Sequence, residues 1–517
     1  MESSHITSED RGRMDDARFR TPSGDGAWAN PARMVRQGSG FLDLPLWVWG
    51  VALVVVIWAL TTPNALFTAV TGLLLPVMVR LLWIDGEPPV LLFAAFMQLL
   101  QASAAVFYAN LKGIPLANAL ELGGSTVVEA SWLSLAGVGV VTIGMRLALI
   151  GRRPGIPRHL DWQSHVIDPV RIFKMYLISF PFFAVVELAA FGVPGLTQVL
   201  LTTVLFKWVL LFLLMQSVLK ERRHFTLLVS AVCIEFFSSL FAYFSDFKSI
   251  FFMLAVALPT ARYIFRGRRI IYFCLLAVLA LGFGVIWTAV KKDYRDFVNQ
   301  GSHEQVVSVS RQQGFGELVR LVGEQDWAQL GDAFDNLLLR ISYVEFFAQT
   351  LENVPENVPH TNGRLWFDAA TRIFRPRILF PQKESIDDSE RTAYYTGQAL
   401  AGAEFGTSIS IGYMGESYID FGRIGMFVPI LLLGLFYGLI YRVLVDYQRL
   451  TLLGCAMATS ILLFGAYTIE TSNVKLIGGN FLGFIVMAFF LRYFGHPFWR
   501  MILWREDSKP RLRPKVD

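Results

Sequence analysis

An all-α polytopic membrane protein is the fold class this sequence predicts: about twelve transmembrane helices, with one large, mainly helical, extracytoplasmic loop between helices nine and ten. Three observations predict it. Of 517 residues, 54% are hydrophobic and only 17% charged, with a mean hydropathy of +0.47, whereas a soluble domain carries about a quarter charged residues. The apolar residues fall in runs near the ~20 residues that a helix needs to cross a bilayer. One long stretch, 291–423, lacks such runs.

Residues 1–40 are polar and Arg-rich with no apolar run. They read as a disordered tail and not as a cleavable leader. The first apolar segment is therefore expected to remain as a membrane helix. Candidate spans then follow at 44–60, 64–84, 89–109, 130–150, 170–190, 196–218, 225–244, 248–264 and 269–290. Three more lie after the insert, at 424–443, 450–468 and 475–494. This divides the chain into a tail (1–40), helices one to nine (41–290), the insert (291–423), helices ten to twelve (424–494) and a basic tail (495–517).

Lys and Arg alternate between the connections. They are dense before the first span, at Arg152, Arg153, Arg158 and Arg171, at Lys220, Arg222 and Arg223, at Arg266, Arg268 and Arg269, at Arg442 and Arg449, and after the last span. Positive residues mark cytoplasmic loops. Both termini are thus expected in the cytoplasm and the insert outside, which in a bacterium means the periplasmic side of the inner membrane. The net charge of +5 is accounted for by these loops and gives no reason to expect nucleic acid as a partner. Cys233, Cys274 and Cys455 all fall in apolar segments, so the insert has no thiol.

Within the insert, Leu330, Phe334, Leu337, Leu338, Ile341 and Val344 recur at helical spacing, so 317–351 is read as amphipathic helix, ended by Pro355 and Pro359. A second short helix fits 363–374, stopped by Pro376. Residues 402–422 are Gly-rich and moderately apolar, and read as a re-entrant or interfacial piece leading into the tenth span.

The charge of the insert is uneven. Residues 291–408 hold 12 Lys/Arg against 17 Asp/Glu, yet 364–383 hold Arg364, Arg372, Arg375, Arg377 and Lys383 against Asp368 alone. A basic island in an acidic loop is not an orientation signal, because long loops contribute little to that rule. Arg364, Asp368 and Arg372 stand four apart and share a helix face. Guanidinium forks match phosphate oxygens, and several together suit a diphosphate. Headgroup anchoring and local pairing, such as Arg372 with Asp368, are the alternatives.

Candidate bases are His360, Glu404, Glu416 and Asp420. Glu416, an acid among Gly and apolar residues, is the best placed to take a proton from an attacking hydroxyl. Inside the spans Glu187, Lys207 and Glu235 are costly unless paired, and Lys207 with Glu187 or Glu235 is the expected pair. There is no phosphate-binding GxxxxGK[ST] loop, no HExxH and no CxxC. No metal and no cofactor is expected, and any energy for synthesis must already reside in the substrate.

The run FRPRILFPQK, then GTSISIGYMGESYIDFG directly before GMFVPILLLGLFYGLIYR, resembles the bacterial Wzy-type oligosaccharide repeat-unit polymerases. Recognisable motifs cover about 363–442, and topology carries the rest. The resemblance implies a glycosyltransferase without metal or nucleotide sugar, moving a growing glycan from undecaprenyl diphosphate to a new lipid-linked repeat unit to build O-antigen or exopolysaccharide. It also implies a flippase and a chain-length regulator as partners, besides the lipid bilayer. Arg364, Arg372, Arg375, Arg377, Lys383 and Arg391 would then hold diphosphate, and Glu416 or His360 would act on the acceptor. An Arg-x10-Gly spacing associated with that family occurs at Arg391–Gly402 and Arg320–Gly331. Nine loop arginines among 42 glycines make such matches common by chance. An O-antigen ligase is the nearest alternative, kept alive by His360. Other polyprenyl-phosphate-dependent glycosyltransferases are disfavoured by the short loop Thr61-Thr62-Pro63-Asn64. A polysaccharide flippase is the alternative of a different class.

Overall fold

A computed structural model of the chain describes residues 46–120, 124–152, 156–193, 196–240, 247–262, 269–301, 308–375, 380, 387–400, 408–468 and 470–503. The tail 1–40 and residues 504–517 lie outside these residues. The described residues are helical, with one isolated bridge between Ile167 and Leu503.

Before the insert run α1 (Leu46–Ala59), α2 (Ala65–Leu82), α3 (Val90–Lys112), α4 (Thr126–Ala148), α5 (Ile156–Val166), α6 (Pro169–Gly192), α7 (Thr197–Thr203), α8 (Leu205–Glu221), α9 (Phe225–Leu240), α10 (Lys248–Thr260) and α11 (Arg269–Val298). The insert holds α12 (Arg311–Gly323), α13 (Trp327–Ile341), α14 (Val344–Asn353), α15 (Arg364–Arg372), α16 (Asp388–Thr396) and α17 (Gly412–Gly425). It is followed by α18 (Phe427–Val445), α19 (Thr451–Tyr467), α20 (Asn473–Tyr493) and α21 (Gly495–Ile502).

Every predicted span coincides with a helix, α7 and α8 together making the sixth. Among the described residues eight helices are long and apolar enough to cross a membrane, which makes this a membrane protein. The other four, α1, α9, α10 and α19, are shorter apolar helices. The helix ends follow local chemistry. Asp168 caps α6, accepting from the Val170 and Arg171 N–H groups, with Pro169 at the first position where its missing donor costs nothing. Gly113, at φ 66°, closes α3 in the left-handed conformation.

The short α19 is buried on nearly all sides, from Thr451 to Ala466, and packs against α3, α5, α8, α18 and α20. A helix apolar all round belongs in a core, and α19 is the bundle's centre. Helices α4 and α18 pack with their backbones close together. A Cβ on Gly434 would lie 2.2 Å from the Val141 carbonyl oxygen, and one on Gly144 would lie 2.3 Å from that of Leu431. Small residues let the two backbones touch, which is how membrane helices gain packing without a hydrophobic driving force between them.

The intramembrane charges resolve as a pair. Lys207 Nζ donates to Glu235 Oε2 at 2.9 Å, and Tyr176 Oη donates to Glu235 Oε1 at 2.9 Å. Glu187 is exposed on α6 and stands apart from this pair.

At the end away from the insert, a second polar group ties loops together. Arg152 Nη1 donates to Glu87 Oε2 at 2.7 Å, while Nη2 and Nε donate to Asp446 Oδ1 at 2.9 and 3.0 Å. Tyr441 Oη adds a bond to Glu87 Oε2 at 3.0 Å.

Two expectations for the insert need correction. The ninth helix continues through 291–298, because nothing breaks it before Gly301 and Val290, Tyr294 and Val298 pack on Leu318 and Leu321 of α12. The stretch 317–351 lies in three helices instead of one. Ser310 with Gln313 and Asp326 with Gln329 form capping boxes that restart the helix, and the chain turns again at Ser342. The insert packs on the bundle. Val344, Phe347, Leu351, Tyr395, Tyr413 and Tyr418 belong to the same core as the bundle.

Candidate functional site

The site is organised by α17, the helix that leads into α18 through a break at Gly422 (φ 68°, ψ −171°). Residues 412–421 are helical, which replaces the expected re-entrant piece over that part, while 401–407, including Glu404, lie outside the described residues. Gly412 through Asp420 are almost wholly buried, Met414 being the half-exposed one, so the polar side chains of α17 face other elements instead of water.

Asp420 is 1% exposed and holds the start of α15. Its Oδ1 accepts from the Leu365 N–H at 3.1 Å and from the Thr361 hydroxyl, and its Oδ2 accepts from the Trp366 N–H at 2.8 Å. A carboxylate there satisfies donors that the helix itself leaves unpaired. Trp366 Nε1 donates to Ser417 Oγ at 3.0 Å. His360 Nδ1 lies 3.1 Å from the Ile419 carbonyl oxygen, and its ring meets Tyr418 edge-on. His360, Asn362, Asp420 and Phe421 border an open depression of about 380 Å³.

Glu416 is 1% exposed. Oε2 accepts the Asn473 N–H at 2.9 Å, at the positive end of α20, and Oε1 faces Arg391 Nη1 at 3.5 Å. Burial pushes its carboxyl up to about 7, opposed by Arg391 and the Asn473 N–H. A folded-state pKa above the ordinary 4.5 means the folded chain holds the proton more tightly. The contribution is complete below the unfolded value and is lost as pH rises toward the folded one, by about 3 kcal/mol in all. In thermal unfolding of the detergent-solubilised protein, Glu416→Gln is expected to flatten the fall in stability over that window. A variant as steep as wild type would show that another group is responsible.

Lys475 Nζ bonds Asp388 Oδ2 at 2.9 Å and Ser408 Oγ at 2.8 Å, so α16 and α20 are joined beside Glu416. The phenol of Tyr395 is pushed up by burial, against the fields of Arg391 and Arg364 and with that of Asp420. Helices α15, α16 and α17 therefore converge there.

Of the predicted cations, Arg391 meets Glu416. Arg364 is exposed at the first position of α15, Arg372 is half-buried at its last, and Arg375 is exposed just beyond. Arg377 and Lys383 lie outside the described residues. The basic helix is not suspended in solvent: α15 packs along α20 and against α17.

One acid escaped sequence reasoning. Glu470, in the connection between α19 and α20, lines a narrow crevice with Gln98, Gln101, Tyr343 and Tyr413. Gln101 Nε2 donates to Glu470 Oε2 at 3.0 Å, and Gln98 Nε2 to Gln101 Oε1 at 3.1 Å. The Tyr413 hydroxyl is buried with no hydrogen-bond partner among the described residues. A lone acid in a short connection between apolar runs was the only signal available. Glu416 and Glu470 thus flank the first turn of α17, the former enclosed and the latter at an opening. Among the described residues no group of three or more His, Cys, Asp or Glu is placed to hold a metal ion.

Fold and site together define a helical membrane protein with a polar cluster, both acidic and basic, at one end of its bundle. Residues 158–502 match the family described as a domain of unknown function, DUF8712, and the chain belongs to that family. The match runs from α5 through α21 and takes in the whole insert. Comparison with curated proteins gave no match, and neither did comparison with solved structures.

Proposed function

We propose that the protein is a glycosyltransferase that joins undecaprenyl-diphosphate-linked oligosaccharide repeat units on the outer face of the bacterial inner membrane. In this reading the chain crosses twelve times, with both ends cytoplasmic and the insert outside. The observation that carries it is the packing of the basic helix α15 beside α20, a helix long enough to span, and against α17, which carries Glu416. A lipid-linked substrate presents its diphosphate at the bilayer surface, so cations held against a membrane helix stand where that charge would arrive.

The acceptor hydroxyl oxygen attacks the anomeric carbon of the donor glycan. A glycosidic C–O bond forms, the bond from that carbon to the diphosphate oxygen breaks, and undecaprenyl diphosphate leaves. Arg364, Arg372 and Arg375 would stabilise the charge gathering on the leaving group. The hydroxyl proton passes to a carboxylate. Glu470, open to the crevice, suits that role better than Glu416, whose two oxygens are occupied by α20 and Arg391. Tethering both reactants to one bilayer raises their effective concentration. The flippase alternative gains nothing from Lys207, Glu235 and Tyr176, which satisfy one another inside the bundle.

A strain lacking the gene is expected to display surface glycan with single repeats in place of long chains, and Glu470→Gln is expected to restore no long chains at normal protein level. Loss of even single repeats would assign the chain to translocation instead. Full-length chains from Glu470→Gln would remove Glu470 from the chemistry.

A further inference from the structure

Helix α15 has three distinct sides. Leu365 (7% exposed) and Ala369 (0%) turn into the protein. Arg364 and Asp368 stand exposed on a second side, with Arg372 at its margin. Phe367 and, in the turn that follows the helix, Phe374 form the third, at 69% and 73% exposure. Phe367 on this nine-residue helix and Phe374 just beyond its end, both bared to water, would be an unexplained cost, at roughly 25 cal/mol per Å² of apolar surface.

The neighbour of Phe374 resolves the cost. Its ring lies 6.1 Å from that of Phe481 on α20. Phe481 is eight residues into α20, about 12 Å along its axis from Asn473 at a rise of 1.5 Å per residue. On the same side of α20, at intervals of four, come Ile485 (46% exposed) and Phe489 (56%). Residues so spaced share a helix face, and on a spanning helix an exposed apolar face is the lipid face. Phe374 therefore continues the lipid face of α20.

We infer that α15 is an interfacial helix, its aromatic edge embedded in the leaflet on the insert side and its basic edge at headgroup level. The occupant of this surface is bilayer lipid. The apolar edge continues a lipid-facing surface, and Arg364, Arg372 and Arg375 complement anionic headgroups along the other edge. Arg375, directly after the embedded Phe374, reaches headgroup level by extending its side chain outward. The surface thus offers lateral access from the membrane to the cluster around α17. This placement holds whichever face of the membrane carries the insert.

The test uses the full chain in proteoliposomes of phosphatidylethanolamine and phosphatidylglycerol. Cys233 and Cys274 are replaced, and nitroxide labels are placed in turn through Phe367→Cys, Phe374→Cys, Asp368→Cys and Ile485→Cys. Collision with oxygen relative to a water-soluble nickel chelate is expected to be several-fold higher at 367 and 374 than at 368, and close to that at 485. Values at 367 and 374 matching 368 would overturn the inference. Dipolar broadening at 374 would overturn it too, by assigning the stripe to a second copy of the chain. Both phenylalanines are mostly exposed, so their replacement empties no core. As a check without substitutions, a phospholipid carrying a photoreactive acyl chain is expected to label the unmodified protein within 364–375, and no label there would likewise contradict the inference.

Discussion

Gly434→Leu is expected to prevent the bundle from assembling. The α4–α18 crossing brings Gly434 against the Val141 carbonyl and Gly144 against that of Leu431, and even a methyl group at 434 would meet backbone at 2.2 Å. Backbone cannot rotate aside as a flexible side chain would, so the helices must separate. Gly438 repeats the situation one turn later, where an added Cβ would lie 2.6 Å from the Met145 carbonyl oxygen. Overpacking costs roughly 1–3 kcal/mol where neighbours yield, and here they do not, so the loss is expected to exceed that range. Folded yield after extraction, read by size-exclusion chromatography, should fall to near zero. Gly139→Leu on the same α4 is the matched comparison, since nothing lies within 4 Å of its added Cβ. Its yield should remain near wild type. Equal yields from both variants would mean that α4 and α18 do not cross as described.

Arg152→Ala is the second large effect. The guanidinium is the shared partner of Glu87 and Asp446, and side-chain exposure is 7% for Arg152 and 4% for Glu87. Removing it leaves two carboxylates facing each other at the end of the bundle away from the insert. Breaking such a buried pair costs ~3–5 kcal/mol, most of it from the uncompensated charge left behind. Burial already pushes the Glu87 carboxyl up, against the pull of Arg152. Without the guanidinium Glu87 should protonate more readily, so the destabilisation should shrink on acidification. Arg152→Lys should recover only part of the loss, because an ammonium cannot reproduce the three-donor fork onto two carboxylates. Thermal unfolding in detergent across the acid range measures all three. A deficit in Arg152→Ala that does not vary with pH would contradict the described coupling.

The sequence revealed the helices far more readily than their neighbours. An apolar run of the right length is a local signal, and even the buried α19 announced itself by being apolar all round. The capping box that first divides 317–351 was also present as Asp326-x-x-Gln329, but the apolar period of the stretch overrode it. Gly434-Leu-Phe-Tyr-Gly438 had the spacing of a close helix crossing. Its partner on α4 is nearly 300 residues away, and no local pattern names it.

The site was legible in kind and not in arrangement. Arg391 and Glu416 were both singled out, for different jobs, yet they face each other at 3.5 Å. Asp420 was a candidate base, yet its carboxylate holds the first turn of α15. Such pairings depend on how distant helices pack, which a one-dimensional charge count does not contain. The basic island was read chiefly as a diphosphate site, with headgroup anchoring and local pairing as the alternatives, from its charges alone. The aromatic residues between those charges, Phe367 and Phe374, are what tie it to the membrane.

The most direct test of the central claim is reconstitution. The purified protein in proteoliposomes, supplied with undecaprenyl-diphosphate-linked repeat units, should convert them to a ladder of longer lipid-linked glycans. Undecaprenyl diphosphate should be released once for each unit joined, with no nucleotide sugar added. Lipid-linked units that cross the bilayer without lengthening, or that remain unchanged, would contradict the account.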